Sequence, residues 1–265
     1  MTEKERQLIK NQTWQTVGKI ILFSLGFLAL TRLISEMGWL FARPIVQSLL
    51  SFDPDGVFLP NSLHHIWQGL FAFLVILLLG RMFRIPLTEF GFNLNKWRYS
   101  VRLVLQFCLF WFFVQGVMGY MMVSSGGQAA FLAFFNFPLT TWNLGGYFAF
   151  QILLSGTSEE ILFRALVMTP LLVYGKRAGL ADKPTALLTA GITTLIFMLA
   201  HINIAFNPLR VTHFNLLQQF ASLGFGIFYA FLFLRTRSIL GPILAHNLLN
   251  AVIVIVGLIL LFVFG

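Results

Sequence analysis

The sequence predicts an all-α, polytopic transmembrane helical bundle of seven spans, or eight if the last apolar run is two short helices, with a cytoplasmic amino terminus. Three observations carry that reading. The chain of 265 residues is 58% hydrophobic and 10% charged, with mean hydropathy +0.83, against roughly 25% charged residues in soluble domains. Seven runs of about 20 mostly apolar residues are long enough to cross a bilayer as helices. The basic residues, finally, fall in alternate loops. No polar stretch is long enough to fold outside the bilayer, so residues 1–265 read as a single membrane domain.

The spans run in order over Ile20–Phe41, Leu63–Leu79, Val101–Val123, Tyr147–Met168, Ala186–Phe206, Phe214–Leu234 and Ile239–Phe264. Before the first lies MTEKERQLIKNQTWQT, charged and without a small-residue cleavage site, so the first span is expected to stay in the mature protein. Lys4, Arg6, Lys10 and Lys19 precede it. Arg81, Arg84, Lys96, Arg98 and Arg102 lie between spans two and three, Lys176, Arg177 and Lys183 between four and five, and Arg235 and Arg237 between six and seven. Fourteen of the 18 basic residues thus gather on one side, against Arg43 and Arg210 on the other. Cytoplasmic loops carry the Lys/Arg excess, which places the amino terminus inside. The net charge of +9 therefore reports topology, and nucleic acid is not an expected partner. A multi-pass protein of a bacterial cytoplasmic membrane fits this pattern.

The outer loops are apolar and turn-rich. Asp53 and Asp55 in SFDPDGVFLPN suit turn chemistry, and QAAFLAFFNF, ahead of the fourth span, reads as an interfacial helix. Cys108 is the one cysteine and lies within a span, so no disulfide framework exists.

A charge at the centre of a span costs about 2.5–3.5 kcal/mol on insertion scales, so such residues normally face a cavity or a partner. The fourth span contains Glu159, Glu160 and Arg164, the fifth His201, and the last His246, Asn247 and Asn250. Glu160 and Arg164 are spaced i,i+4 with the acid first, the favourable order for a helical ion pair. Glu159 is turned about 100° away and is left for other work, with general base a plausible role. Phe197 and His201, and likewise His246 and Asn250, each share a helix face. Two imidazoles and an amide are thus expected to converge on Glu159 from separate helices. Arg32 and Glu36 read as a structural or gating pair, and His64, His65 and His213 as bland interfacial or loop residues.

These residues resemble the CAAX protease and bacteriocin-processing family (CPBP, or Abi), related to the Ras-converting CAAX endopeptidase. Its two glutamates, three residues and an arginine match Glu159, Glu160 and Arg164. Its phenylalanine, three residues and a histidine match Phe197 and His201, and its histidine, three residues and an asparagine match His246 and Asn250. The motifs occur in order within residues 145–250; Ala165 stands where the family often has glycine, and both are small.

The resemblance implies an intramembrane endopeptidase acting on a membrane-associated protein or peptide, lipidated in some members. Glu159 with His201 would activate water, His246 and Asn250 would stabilise the oxyanion, and Glu160 with Arg164, beside Phe197, would support the site. A metal-free, glutamate-type mechanism is favoured; the alternative is zinc, which would take Glu159, His201 and His246 as ligands. Rival readings are a non-catalytic membrane scaffold or bacteriocin self-immunity protein, and a proton-coupled transporter, although no repeated halves are visible. The predicted spans put Glu159 and His246 in the cytoplasmic half and His201 nearer the outer end; a cavity open to the cytoplasm is expected, with the fifth helix starting later than Ala186 or extending past Phe206, or else the site lies nearer mid-membrane.

Overall fold

The computed structural model describes residues 2–132, 135, 137–206 and 208–264. The first three helices are α1 (Glu3–Ser48), α2 (Leu59–Phe83) and α3 (Trp97–Leu132). Residues 141–177 are helical throughout but not uniformly so. The short α-helices α4 (Thr141–Phe150), α5 (Gly156–Glu160) and α6 (Thr169–Arg177) are joined by π-helical stretches at Gln151–Ser155 and Ile161–Met168. Then come α7 (Asp182–Ala200), an antiparallel hairpin of β1 (Asn203–Phe206) and β2 (Leu209–His213), α8 (Leu216–Thr236) and α9 (Leu240–Phe264).

Among the described residues six helices are long and apolar enough to cross a membrane: α7, α8, α9, α2 and the larger parts of α1 and α3. The last apolar run is one continuous helix. The fifth run is shorter than the sequence suggests. Its helix stops at Ala200, and Asn203–Phe206 instead forms a strand with one register irregularity after Asn203. A short apolar run such as NIAF satisfies either state, and here pairing across the turn decides it. The interfacial reading of residues 128–137 also changes: α3 continues to Leu132, and residues 133, 134 and 136 lie outside those described.

The core explains why 141–177 sits in the middle. Phe163, Leu166 and Val167 are buried together with Ile76, Phe197, Tyr229, Ala245 and Leu249 from the surrounding helices. Large apolar side chains such as Leu22, Leu74, Phe113, Leu195 and Phe220 stay exposed on the rim, which suits lipid as the outer solvent.

The loops tie each end of the bundle. At one end the segment after α2 is joined to the α8–α9 turn: Asn93 Nδ2 donates to Arg237 O at 2.8 Å, Ser238 Oγ to Asn93 O at 2.6 Å and Lys96 Nζ to Arg235 O at 3.1 Å. Gly91, at φ +92°, makes this junction possible, since a Cβ there would stand 2.9 Å from Ile239 N. Arg177 reaches Phe83 O at the same end. At the other end Asp53 accepts from the backbone N–H groups of Val57, Phe58 and Leu59 and so caps α2. Asp55 accepts from Asn143, and Trp142 donates to Phe52 O. Both aspartates therefore do turn and capping work.

Candidate active site

The centre is built on α5, the single α-helical turn and a half between two π-helical stretches. Such wide turns displace backbone groups from the regular ladder and are frequent at functional sites. The Gly156 N–H is taken by a side chain from another helix, Asn247 Oδ1 of α9, at 2.8 Å, and Asn247 Nδ2 donates to Thr157 Oγ1 at 3.0 Å. Asn250 Nδ2 donates to Ser155 Oγ at 3.1 Å. Glycine at 156 allows this approach, because a Cβ there would lie 2.5 Å from the His246 Cβ.

The two adjacent glutamates face different surroundings. Glu160 and Arg164 are fully buried, with Arg164 Nε 3.2 Å from Glu160 Oε2. The guanidinium also donates to Gly226 O and lies over the Phe197 and Tyr229 rings, 5.3 and 5.6 Å from their centroids. The other oxygen of Glu160 meets His246 Nδ1 at 2.9 Å. An ionised carboxylate can only accept, so Nδ1 is the protonated nitrogen of this contact. The His246 ring is further fixed by stacking on Tyr229 at 4.8 Å and by edge contact with Phe197 at 5.8 Å. Glu160 and Arg164 thus orient an imidazole as well as pairing with each other.

Glu159 points elsewhere. Its side chain is 17% exposed and its Oε2 lies 3.9 Å from His246 Nε2. That oxygen has no hydrogen-bond partner among the described residues. With His201, Glu159 lines a cavity of about 410 Å³ that also takes in His64, His65 and Gln68 from α2. His201 sits at the C-terminal end of α7 and is held by its Nδ1 on Phe197 O at 2.8 Å.

Of the residues the sequence singles out, the structure brings together Glu159, Glu160, Arg164, Phe197, His201 and His246. Asn250 packs against the same helical segment but is turned to Ser155; neither it nor His246 is among the residues that line the cavity, and His246 approaches it through Glu159. Among the described residues no group of three His, Cys, Asp or Glu side chains is placed to hold a metal ion.

Three features escape sequence reading. His65 Nδ1 meets Ser158 Oγ at 2.6 Å, and Gln68 Nε2 donates to the same hydroxyl at 3.2 Å, so α2 grips the turn that carries Glu159. His64, likewise buried, stacks on Trp39. Arg32 makes no ion pair with Glu36 among the described residues; its Nη2 donates to Leu199 O and Ile202 O, the carbonyls flanking His201. A cation there satisfies the free carbonyls at a helix C-terminus. The only available signal was a histidine or arginine within an apolar run, which does not name its partner.

Residues 141–252, which contain α5, His201 and His246, match the family described as Type II CAAX prenyl endopeptidase Rce1-like. The match covers somewhat less than half of the chain and includes the three sequence motifs. No curated protein and no solved structure is similar enough to the chain to be matched to it. The matched segment joins α1–α3 in a chain whose apolar helices make it an integral, multi-pass membrane protein.

Proposed function

We propose that the chain is an intramembrane endopeptidase in which Glu159 is the general base. The observation that carries this reading is the unpartnered, buried Glu159 Oε2, set in a cavity beside His201 and 3.9 Å from His246 Nε2. A water held by Glu159 and His201 gives one proton to the carboxylate while its oxygen attacks the scissile carbonyl carbon. His246, supported by Glu160 and Arg164, stabilises the developing oxyanion by donating from Nε2, which requires the doubly protonated ring, with Nδ1–H on Glu160. The C–N bond then breaks as the proton passes to the amine, leaving a free carboxyl group and a free amino group. Asn250 joins as a second oxyanion donor once its amide leaves Ser155. No step needs a metal, so chelator treatment is expected to leave cleavage unchanged. Residues 141–177 act as a seventh span in this reading, with the amino terminus in the cytoplasm of a bacterial cell.

The test is cleavage of quenched fluorescent peptides by the purified full chain in proteoliposomes. Glu159→Gln keeps the shape and removes the base, so turnover falls about 10²–10⁴-fold with normal insertion and yield. Unchanged cleavage by Glu159→Gln would remove Glu159 as the base, and no cleavage by the wild-type protein would favour a scaffold.

Arg32 offers a second check on the site. Arg32→Ala frees the Leu199 and Ile202 carbonyls and loosens the turn bearing His201, so kcat falls about tenfold, with KM and protein yield little changed, for a misplaced group alone. Arg32→Lys, which keeps the cation, recovers part of the loss. Equal kcat in all three proteins would remove the positioning role.

A further inference from the structure

We infer that the catalytic cavity opens at the end of the bundle away from the basic loops, so that the proposed peptidase takes a polar, unlipidated peptide segment from the non-cytoplasmic side. The inference rests on the peptidase reading for the chemistry, whereas the direction of opening stands on the geometry of the cavity and the placement of the basic loops.

The two ends of the molecule are distinguished by their hydrogen bonds. The loops carrying Arg84, Lys96, Arg235 and Arg237 are joined to one another, and Arg177 reaches the last residue of α2 at that end. This end contains the Lys/Arg excess that marks the cytoplasm. Above Glu159, the cavity walls come from the opposite halves of the same helices: Arg32 and Glu36 late in α1, His64 and His65 early in α2, and His201 at the end of α7. The hairpin closes one side through Asn203 and His213.

Arg32, Glu36, Trp39 and Asn203 also line an adjoining vestibule of about 600 Å³, which continues outward to Arg43, Gln47 and Pro60. These last residues flank the loop between α1 and α2, at the end with Asp53 and Asp55. The path from Glu159 to water therefore runs away from the basic end. A cavity open to the cytoplasm, the arrangement suggested by spans drawn from sequence, needs His201 deeper in its helix; α7 ends at Ala200 and keeps His201 at the outer end, while the helical segment 141–177 sets Glu159 near its middle, within reach of that end.

The chemistry of the walls selects the occupant. From Glu159 outward the lining is dominated by histidine, arginine, glutamate, glutamine and asparagine side chains. A peptide backbone with polar side chains can satisfy these groups, whereas an isoprenoid chain would leave buried donors and acceptors unpaired at a cost for each. Arg43 adds an exposed cation at the mouth, which suits an acidic or carboxylate-bearing segment.

The experiment uses the full chain with Cys108→Ala and one new cysteine, Gln47→Cys at the vestibule or Asn95→Cys in the basic loop; both positions are exposed. Spheroplasts are treated with a membrane-impermeant maleimide, and a quenched, unlipidated acidic peptide is supplied outside. Gln47→Cys is expected to label in intact spheroplasts and Asn95→Cys only after lysis. The external peptide should be cleaved without lysis by wild type and not by Glu159→Gln. The reverse labelling pattern, or cleavage only after lysis, overturns the inference. Cleavage confined to a farnesylated form of the peptide overturns its polar-substrate part. If neither form is cleaved before or after lysis, the peptidase reading fails, while the labelling still decides where the cavity opens.

Discussion

Arg164→Ala is expected to reduce both the amount of folded protein and its activity, and the two losses should be separable. Arg164 is fully buried beside Glu160, so its removal strands a carboxylate in a low-dielectric core. Breaking a buried pair from one side costs roughly 3–5 kcal/mol, comparable with the whole stability of many domains. Removing both charges is a different matter, since replacing a buried pair by apolar groups of similar size is often neutral or stabilising. Glu160→Gln with Arg164→Met should therefore recover yield and thermal stability. Activity should stay low, because His246 Nδ1 loses the carboxylate that now receives it at 2.9 Å. Yield by in-gel fluorescence and peptide cleavage, measured on both variants, provide the check. A double variant as active as wild type would show that the pair serves packing alone, and normal yield of Arg164→Ala would remove the ion-pair assignment.

Much of this site was legible because helical spacing is local. The i,i+4 offset of Glu160 and Arg164 and the rotation of Glu159 away from them follow from 3.6 residues per turn, and both stand as expected. What sequence did not reveal depends on partners far along the chain. His65 meets Ser158 across 93 positions and Arg32 meets Leu199 across 167, and no periodicity connects such pairs. Spacing put Asn250 on the face of His246, yet Asn247 satisfies the Gly156 N–H, because the need for that bond arises from a π-helical stretch with no sequence signature. The hairpin at Asn203–His213 was hidden for another reason: its first strand is as apolar as the helix before it. Recognition of the family could not supply these contacts, since α1 and α2 lie outside the matched residues 141–252.

The close approach of α9 to α5 makes Gly156 a position where a small addition reaches the proposed catalytic residues directly. A single methyl group there would stand 2.5 Å from His246 Cβ, 2.7 Å from His246 Cγ and 2.6 Å from Asn247 Oδ1. The Asn247 Oδ1 could swing away only by giving up its bond to the Gly156 N–H, and His246 Cβ and Cγ lie close to the α9 backbone, so the helices must part or the backbone must turn. Overpacking of this kind typically costs 1–3 kcal/mol. Here it also displaces the imidazole that faces Glu159 and the amide that caps the Gly156 N–H, so the effect on turnover should exceed the effect on stability. Gly156→Ala is expected to lower the melting temperature by several degrees, as about 1–3 kcal/mol implies, and to reduce peptide cleavage about 10²-fold, as roughly 1 Å of misplacement can. Gly191→Ala is the matched control: it lies on α7 with open space around its Cβ position, so it should be neutral or slightly stabilising through helix propensity. If Gly156→Ala cleaves peptide at the wild-type rate, α5 and α9 are not held at the distance that brings His246 to Glu159, and the proposed catalytic pairing falls with it.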